Sequence, residues 1–361
     1  MRKRLLGAIA VLAFVVWVGS ASADGGGTRS VLYDDFSNPA ASEPGLPAFL
    51  GGPCSSLTKW CYTYGPLEAG VNDANHYRAI SGGAERMRAV PFTQSLDFSV
   101  YDHLKLMEVS TQSFALPASG SLQFSADITA ATPGVVNHLQ QLGYFGDPFS
   151  WFDPSAPPGP LGYQASLLEG QQAGVVLNMV DFCTGQLFDW FLSNTKAFTL
   201  IERLPTAVTG NTTACPGATD VGADLMYTQI ANEVSLSPGK HTVAIKVTQN
   251  ATKFFVEYTL DGKVVSKISN IGIPLDKQGV PYTGIYPSLG AGESLKGQIK
   301  SFSIGHGLFS LLDSFPFQYP GTASVSIPSG SGNPLDAGRA RLFGQGADGT
   351  YDNLNVTTTN S

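Results

Sequence analysis

The stretch His241–Ile268, HTVAIKVTQNATKFFVEYTLDGKVVSKI, decides the fold. Val243, Ile245 and Val247 alternate with polar partners. Phe254, Val256, Tyr258 and Leu260 then alternate with Phe255, Glu257 and Thr259. Asp261-Gly262 supplies the two positive φ angles of a two-residue hairpin turn, and Lys263–Ile268 returns. Three antiparallel strands in a row, each with a period of two, place one face in a core and leave the other for something else. The architecture expected from this pattern is an all-β sandwich.

Strand patterns continue in both directions. Leu32–Ser37 reads as an opening strand, and His76–Val90 as an irregular strand pair. Asp102–Glu108 and Leu122–Ala130 follow, the second as LQFSADITA with clean alternation. Val175–Val180 is an apolar strand, and Leu187–Ser193 with Ala197–Leu204 form a hairpin around Asn194-Thr195-Lys196. Gln298–Ile304 is a further strand, with Gly305-His306-Gly307 expected as a tight turn after it, and Tyr351–Val356 closes the chain. Residues 143–164, GYFGDPFSWFDPSAPPGPLGYQ, fit no period and read as a long loop. No internal repeat or long amphipathic helix interrupts the strands. One sandwich domain over residues 24–361 is therefore expected in preference to two.

The N-terminus points to export. Met1-Arg2-Lys3-Arg4 is basic, Leu5–Val18 is apolar, and Ala21-Ser22-Ala23 offers a small-x-small cleavage pattern. Residues 1–23 are expected to be a signal peptide, giving a secreted, extracellular protein. The apolar run is short for a span of about 20 residues, and no later segment is apolar enough to cross a bilayer. Charged residues are 14% of the chain, against roughly 25% in ordinary soluble proteins. With 41 Gly and 23 Pro, this suits a turn-rich exported β protein. Net charge is −7 with no basic cluster after the leader, which argues against nucleic acid or an anionic membrane as partner. A monomer is expected.

Four cysteines remain in the oxidising compartment: Cys54, Cys61, Cys183 and Cys215. An even count there implies two disulfides, for which three connectivities exist. Cys54–Cys61, closing CSSLTKWC, and Cys183–Cys215 are the favoured pairs. No CxxC and no nearby pair of histidines supports a zinc site. Sequons stand at Asn211, Asn250 and Asn355, with Asn250 in a hairpin turn where a glycan is sterically free; in a bacterial source they would be chance occurrences.

Asp35-Phe36-Ser37 near the start, Tyr351–Val356 at the end and the FFVEYTLDGKVV hairpin together resemble the concanavalin A-like lectin/glucanase superfamily. Within it, Val180-Asp181-Phe182-Cys183-Thr184-Gly185 and Phe188–Pro205, a D-x-x-T-G…N-T…E-R-L-P series, are similar to a group of secreted actinobacterial and fungal proteins of unassigned function. The resemblance implies a jelly-roll sandwich with paired first and last strands and a concave face. It also implies calcium sites near the paired termini, for which Asp34, Asp35 and Asp352 are the candidate ligands. No other cofactor is expected. Calcium needs six to eight oxygens, and capping of turns by Asp is the ordinary alternative. The glucanase branch carries an E-x-D-x-x-E strand, and this chain has none; Glu257-x-x-x-Asp261 is the nearest approach, and Asp261 is needed in the turn.

Candidate site residues follow from the register. With Phe191 opposite Phe198 and Asp189 opposite Leu200, Glu202 lies diagonally from Asp189 on the same face, at a Cα separation of roughly 7–8 Å. Such a pair suits a two-carboxylate glycosidase, and the alternative is an ion pair with Lys196 or Arg203. Tyr144, Trp151, Phe152 and Tyr163 are candidates to stack on sugar rings from a rim, the alternative being that they plug the core edge. Trp190 reads as core. His306 is a minor candidate for a general base, and His76, His103, His138 and His241 stand isolated, with no G-x-S-x-G for an esterase. The expected partner is an extracellular or cell-wall glycan. Lectin-like binding leads because the carboxylate strand is missing; the alternatives are a glycoside hydrolase using Asp189 and Glu202, or a surface protein that meets another protein.

Overall fold

The computed structural model describes residues 27–44, 58–63, 73–93, 104–135, 140–144, 161–166, 169–203, 227–269, 271, 297–311, 317–318, 342 and 344–361. Residues 1–26, which include the expected signal peptide, and Cys54, Cys215, Trp151, Phe152 and Asn211 lie outside them. In chain order the first strands are β1 (Thr28–Asp34), β2 (Trp60–Thr63), β3 (His76–Ser81), β4 (Ala84–Ala89), β5 (Leu104–Ser110), β6 (Phe114–Ala115) and β7 (Gly120–Ala131). Next come β8 (Gln140–Tyr144), β9 (Leu161–Ser166), β10 (Gly174–Asp181), β11 (Gln186–Leu192), β12 (Lys196–Arg203) and β13 (Tyr227–Ser235). The last are β14 (Lys240–Gln249), β15 (Phe254–Leu260), β16 (Lys263–Ser269), β17 (Ser301–Phe309), β18 (Phe317–Gln318) and β19 (Ala347–Asn360). Two single-turn helices, α1 (Pro39–Ser42) and α2 (Glu169–Gln172), complete the described elements.

The fold is an all-β antiparallel sandwich. One sheet runs β16-β15-β14-β7-β19-β4-β3, with β1 added along β19; the other runs β13-β12-β11-β10-β17-β5-β2. The first and last strands pair, Val31 opposite Val356. The hairpin of Asp261-Gly262 forms as its sequence demands, with φ of 49° and 76°. Alternation along each strand then builds the core. Val243, Ile245, Val247, Val256 and Tyr258 from the first sheet, and Val175, Leu177, Phe188, Trp190 and Ile201 from the second, are wholly buried in one cluster. Buried aromatic residues with polar tips need partners, and here those partners lie across the sandwich. Trp190 Nε1 donates to Ala244 O at 3.0 Å, Tyr258 OH to Leu200 O at 2.6 Å, and Tyr351 OH to Gly307 O at 2.6 Å.

Three local expectations are corrected. Gly305-His306-Gly307 is no turn: it lies inside β17, paired to β10 on one side and β5 on the other. Gly307 is needed there because a Cβ would come within 2.2 Å of Leu106 O. The opening strand ends at Asp34, where Phe36 takes φ 53° and donates its N–H to Asp34 Oδ1 at 3.0 Å, an Asx-type turn that halts the ladder. The 143–164 loop is shorter than its composition implies, since Tyr144 and Tyr163 hold paired backbone positions on β8 and β9. Cys61 and Cys183 are disulfide-bonded, while their expected partners lie outside the described residues.

His241 is not isolated. Its Nδ1 donates to Asp261 Oδ2 at 2.8 Å and its Nε2 to Ser237 O at 2.8 Å, with Ser237 Oγ 3.5 Å away. Ser, His and Asp are thus together, but both ring nitrogens are donors, so the imidazole cannot take a proton from the serine. Burial opposes its charge, yet the Ser237 carbonyl and the Asp261 carboxylate prevail and hold the pKa above the usual 6.5. A raised pKa contributes stability that is present below pH 6.5 and lost as pH rises through the folded value. The unfolding free energy from urea titrations is therefore expected to lose under about 1 kcal/mol of this pair's contribution between pH 6 and pH 9, and His241→Gln to make the pH slope shallower by that amount. An unchanged slope in the variant would show that the pair contributes nothing.

Candidate functional site

The second sheet has an outer face, opposite the shared core, and its residues form cross-strand rungs. One rung is Val176, Phe191 and Phe198; the next is Asn178, Asp189, Leu200 and Ile230; the third is Val180, Leu187 and Glu202. The expected register holds: Phe191 faces Phe198, Asp189 faces Leu200, and Glu202 lies one rung further on the same face. The first rung is a second apolar cluster, with Phe191 and Phe198 stacked at 4.8 Å between centroids. Helix α2 covers this end. A Cβ on Gly170 would stand 2.9 Å from the Phe198 ring. The two carboxyl groups occupy the rungs beyond it.

Asp189 is 3% exposed and Glu202 8%. Burial, and then the neighbouring Glu202 carboxylate, push the Asp189 pKa well above its usual range, with Asn178 directly across pulling it partly back. Asp189 Oδ1 has no hydrogen-bond partner. Burial thus favours the protonated form of Asp189, beside a second carboxyl group. The expected ion pairing to Lys196 is not seen: that ammonium goes to Glu233 at 3.4 Å. Arg203 pairs in register with Gln186, which puts it on the core side of β12, opposite Glu202. Trp190 is core, as expected.

The D-x-x-T-G series is a turn. Asp181 accepts from Cys183 N at 3.0 Å and from Thr184 Oγ at 2.7 Å, and Gly185 takes φ 75° to enter β11. Asn194 and Thr195 tie the next hairpin down, donating to Thr132 O at 3.0 Å and to Glu169 Oε1 at 2.9 Å respectively. Among the described residues of this series only Glu202 faces the candidate site.

The calcium candidates do not fit that ion. Asp34 is buried and accepts from Phe36 N, Ser42 Oγ and Lys59 Nζ on one oxygen and from Trp60 Nε1 on the other, at 2.7–3.0 Å. Asp35 accepts twice from Ser37, and Asp352 lies 3.7 Å from the Lys240 ammonium. Asn250 caps its own turn, accepting from Thr252 N and Lys253 N at 2.9 Å. Asn355 sits in β19 and donates to Asn353 O at 2.6 Å.

Sequence reasoning missed a buried cluster between the sheets. Glu85 on β4, Glu108 on β5 and His306 on β17 present ligating atoms within 4.8 Å of one another, the one such grouping among the described residues. A cation already stands in it. Arg78 Nε is ion-paired to both Glu85 and Glu108, and its other nitrogens reach Glu43 at 3.0 Å and Ser42 O at 2.9 Å. His306 Nε2 and Glu85 Oε2 meet at 2.5 Å, with Trp60 and Tyr351 packed edge-on against the imidazole. Burial lowers the His306 pKa to about 4 and raises that of Glu85 to about 8, so the histidine is neutral and no base for a surface reaction. The available signal was a charged residue on the apolar side of an alternation: Glu85 shares its face with Met87 and Ala89, and Glu108 with Leu106.

Residues 158–360 match the family described as "Family of unknown function (DUF6081)". No curated protein matches the chain in sequence. Similar solved structures include an endo-1,3-beta-glucanase from Streptomyces sioyaensis, at 13% identity over 95% of this chain and 100% of that one, TM-score 0.39. Beta-agarase B from Zobellia galactanivorans is 12% identical over 93% and 96%, TM-score 0.41. The exolytic PL7 alginate lyase AlyA5 from the same organism is 7% identical over 84% and 95%, TM-score 0.36. The site geometry above is independent of these likenesses. Because the family match spans more than half of the sequence, this chain belongs to DUF6081, a family of unknown function.

Proposed function

We propose that this protein is exported and hydrolyses an extracellular glycan at the outer face of its second sheet. The observation that carries the reading is the placement of Asp189 and Glu202 on one face of neighbouring strands, where burial and Glu202 push the Asp189 pKa up. An acid whose pKa is raised, beside a second carboxyl group, is what acid-assisted glycoside cleavage needs. Asp189 gives its proton to the leaving glycosidic oxygen. Glu202 either takes a proton from the attacking water or attacks the sugar carbon itself, water then releasing the covalent ester. Either route adds one water across the bond and returns both carboxyls to their starting states.

A second reading has its own support. The two carboxyls are only 3% and 8% exposed, as a filled face in a non-catalytic surface protein would have them. Asp189→Asn and Glu202→Gln separate the two. On a polysaccharide panel scored for retention and for release of reducing ends, each variant should lose at least about 100-fold in release, with its melting temperature nearly unchanged. Loss of folding would make the carboxyls structural. Retention by the unaltered protein without release would make it a lectin-like binding module.

A further inference from the structure

We propose that Asn178 is the positioning residue of this site: its amide orients the Asp189 carboxyl and pairs with a hydroxyl of a neutral sugar. The inference rests on the assignment of Asp189 above. Asn178 is the direct cross-strand neighbour of Asp189 on β10, flanked on the same face by Val176 and Val180, and it is wholly buried. Neither its Nδ2 nor its Oδ1 has a partner within hydrogen-bond distance, and Asp189 Oδ1 beside it has none, so the amide acts on the carboxyl only across a longer gap. Each unsatisfied buried polar group costs about 1–3 kcal/mol, so a valine would suit this strand better unless something uses the amide.

The neighbouring strand is built to admit that amide. Opposite Asn178 on β17 is Gly305, where a Cβ would stand 2.9 Å from Asn178 Oδ1 and 3.0 Å from Glu108 O. Glycine leaves the Asn178 side chain room to lie over β17. The unused atoms are adjacent and complementary in kind: amide donors, an amide acceptor and a carboxyl oxygen. A sugar hydroxyl both donates and accepts, so neighbouring hydroxyls satisfy such a set. An anionic uronate would instead meet Glu202, the base of the proposed reaction, whose carboxylate repels it.

The test is Asn178→Leu, which fills similar volume and removes an unsatisfied amide, so folding is retained. The first readout needs no ligand. Carboxyl carbon-13 NMR of aspartate-labelled protein, with the Asp189 signal identified by its loss in Asp189→Asn, should show the titration midpoint rising by about one pH unit. Asn178→Thr, which keeps a hydroxyl, should restore part of that shift. An unmoved midpoint overturns the proposal. The second readout is retention and release on neutral and uronic polysaccharides. A loss of about tenfold or more on a neutral glycan supports it, and unchanged turnover, or a preference for the uronic glycan, overturns it. If the midpoint moves while the unaltered protein neither retains nor cleaves any glycan, the positioning of Asp189 holds and the glycan reading fails.

Discussion

Glu108→Ala is expected to lower the unfolding free energy by about 3–5 kcal/mol, the usual cost of removing one partner from a buried ion pair. Arg78 is held at 6% side-chain exposure by two inner carboxyls and by Glu43 at the rim. Arg78 and Glu85 belong to the first sheet, Glu108 and His306 to the second, so the cluster clasps one edge of the sandwich. Truncating Glu108 leaves a cavity and leaves Arg78 with Glu85, which holds its proton below about pH 8, and with Glu43 at the rim. Urea unfolding at pH 6.5 measures the loss; a change under about 1 kcal/mol would mean that the clasp contributes little, as for a surface pair. Its pH dependence has a defined sign. Glu85 keeps its proton in the folded state up to about pH 8 and loses it near pH 4.5 when unfolded, so stability falls as pH rises across that window. His306 is displaced the other way, from 6.5 to about 4, and costs stability as pH falls below 6.5. Between pH 6.5 and pH 8 the His306 contribution is gone and Glu85 adds to the fall, so Glu85→Gln should make the slope shallower.

Trp190→Ala is the second large loss, also about 3–5 kcal/mol. The indole is wholly buried, meets Tyr258 edge-on at 5.9 Å between centroids, and bridges to Ala244 O in the opposite sheet. The truncation therefore costs contacts, opens a cavity and removes a hydrogen bond between the sheets. Trp190→Phe should keep most of the packing and lose mainly the hydrogen bond. Equal losses in the two variants, read from denaturant midpoints, would contradict this division.

Much of the fold was legible because its signals are local. Alternation placed β7, β11, β12, β14, β15 and β16 on the right residues, and Asp-Gly identified the turn from backbone sterics alone. The register of Phe191 with Phe198 followed from the same reasoning, and with it the shared face of Asp189 and Glu202. The failures are equally physical. Gly-His-Gly reads as a turn because glycine usually frees the backbone, whereas here Gly305 and Gly307 admit neighbours on the outer face while His306 points into the core. Asn178 was passed over inside an apolar run, the very context that makes its polarity informative.

Secondary structure, antiparallel pairing and the parity of each side chain were thus determined by the sequence itself, since the two-residue period and the turn chemistry act between near neighbours. Which polar residues meet was decided only by tertiary structure. Glu85 and His306 lie 221 positions apart and become partners because two sheets stack. Asp189 and Glu202 lie on the other face of the second sheet, and there it is desolvation, a property of the fold and not of one strand, that pushes the Asp189 pKa up.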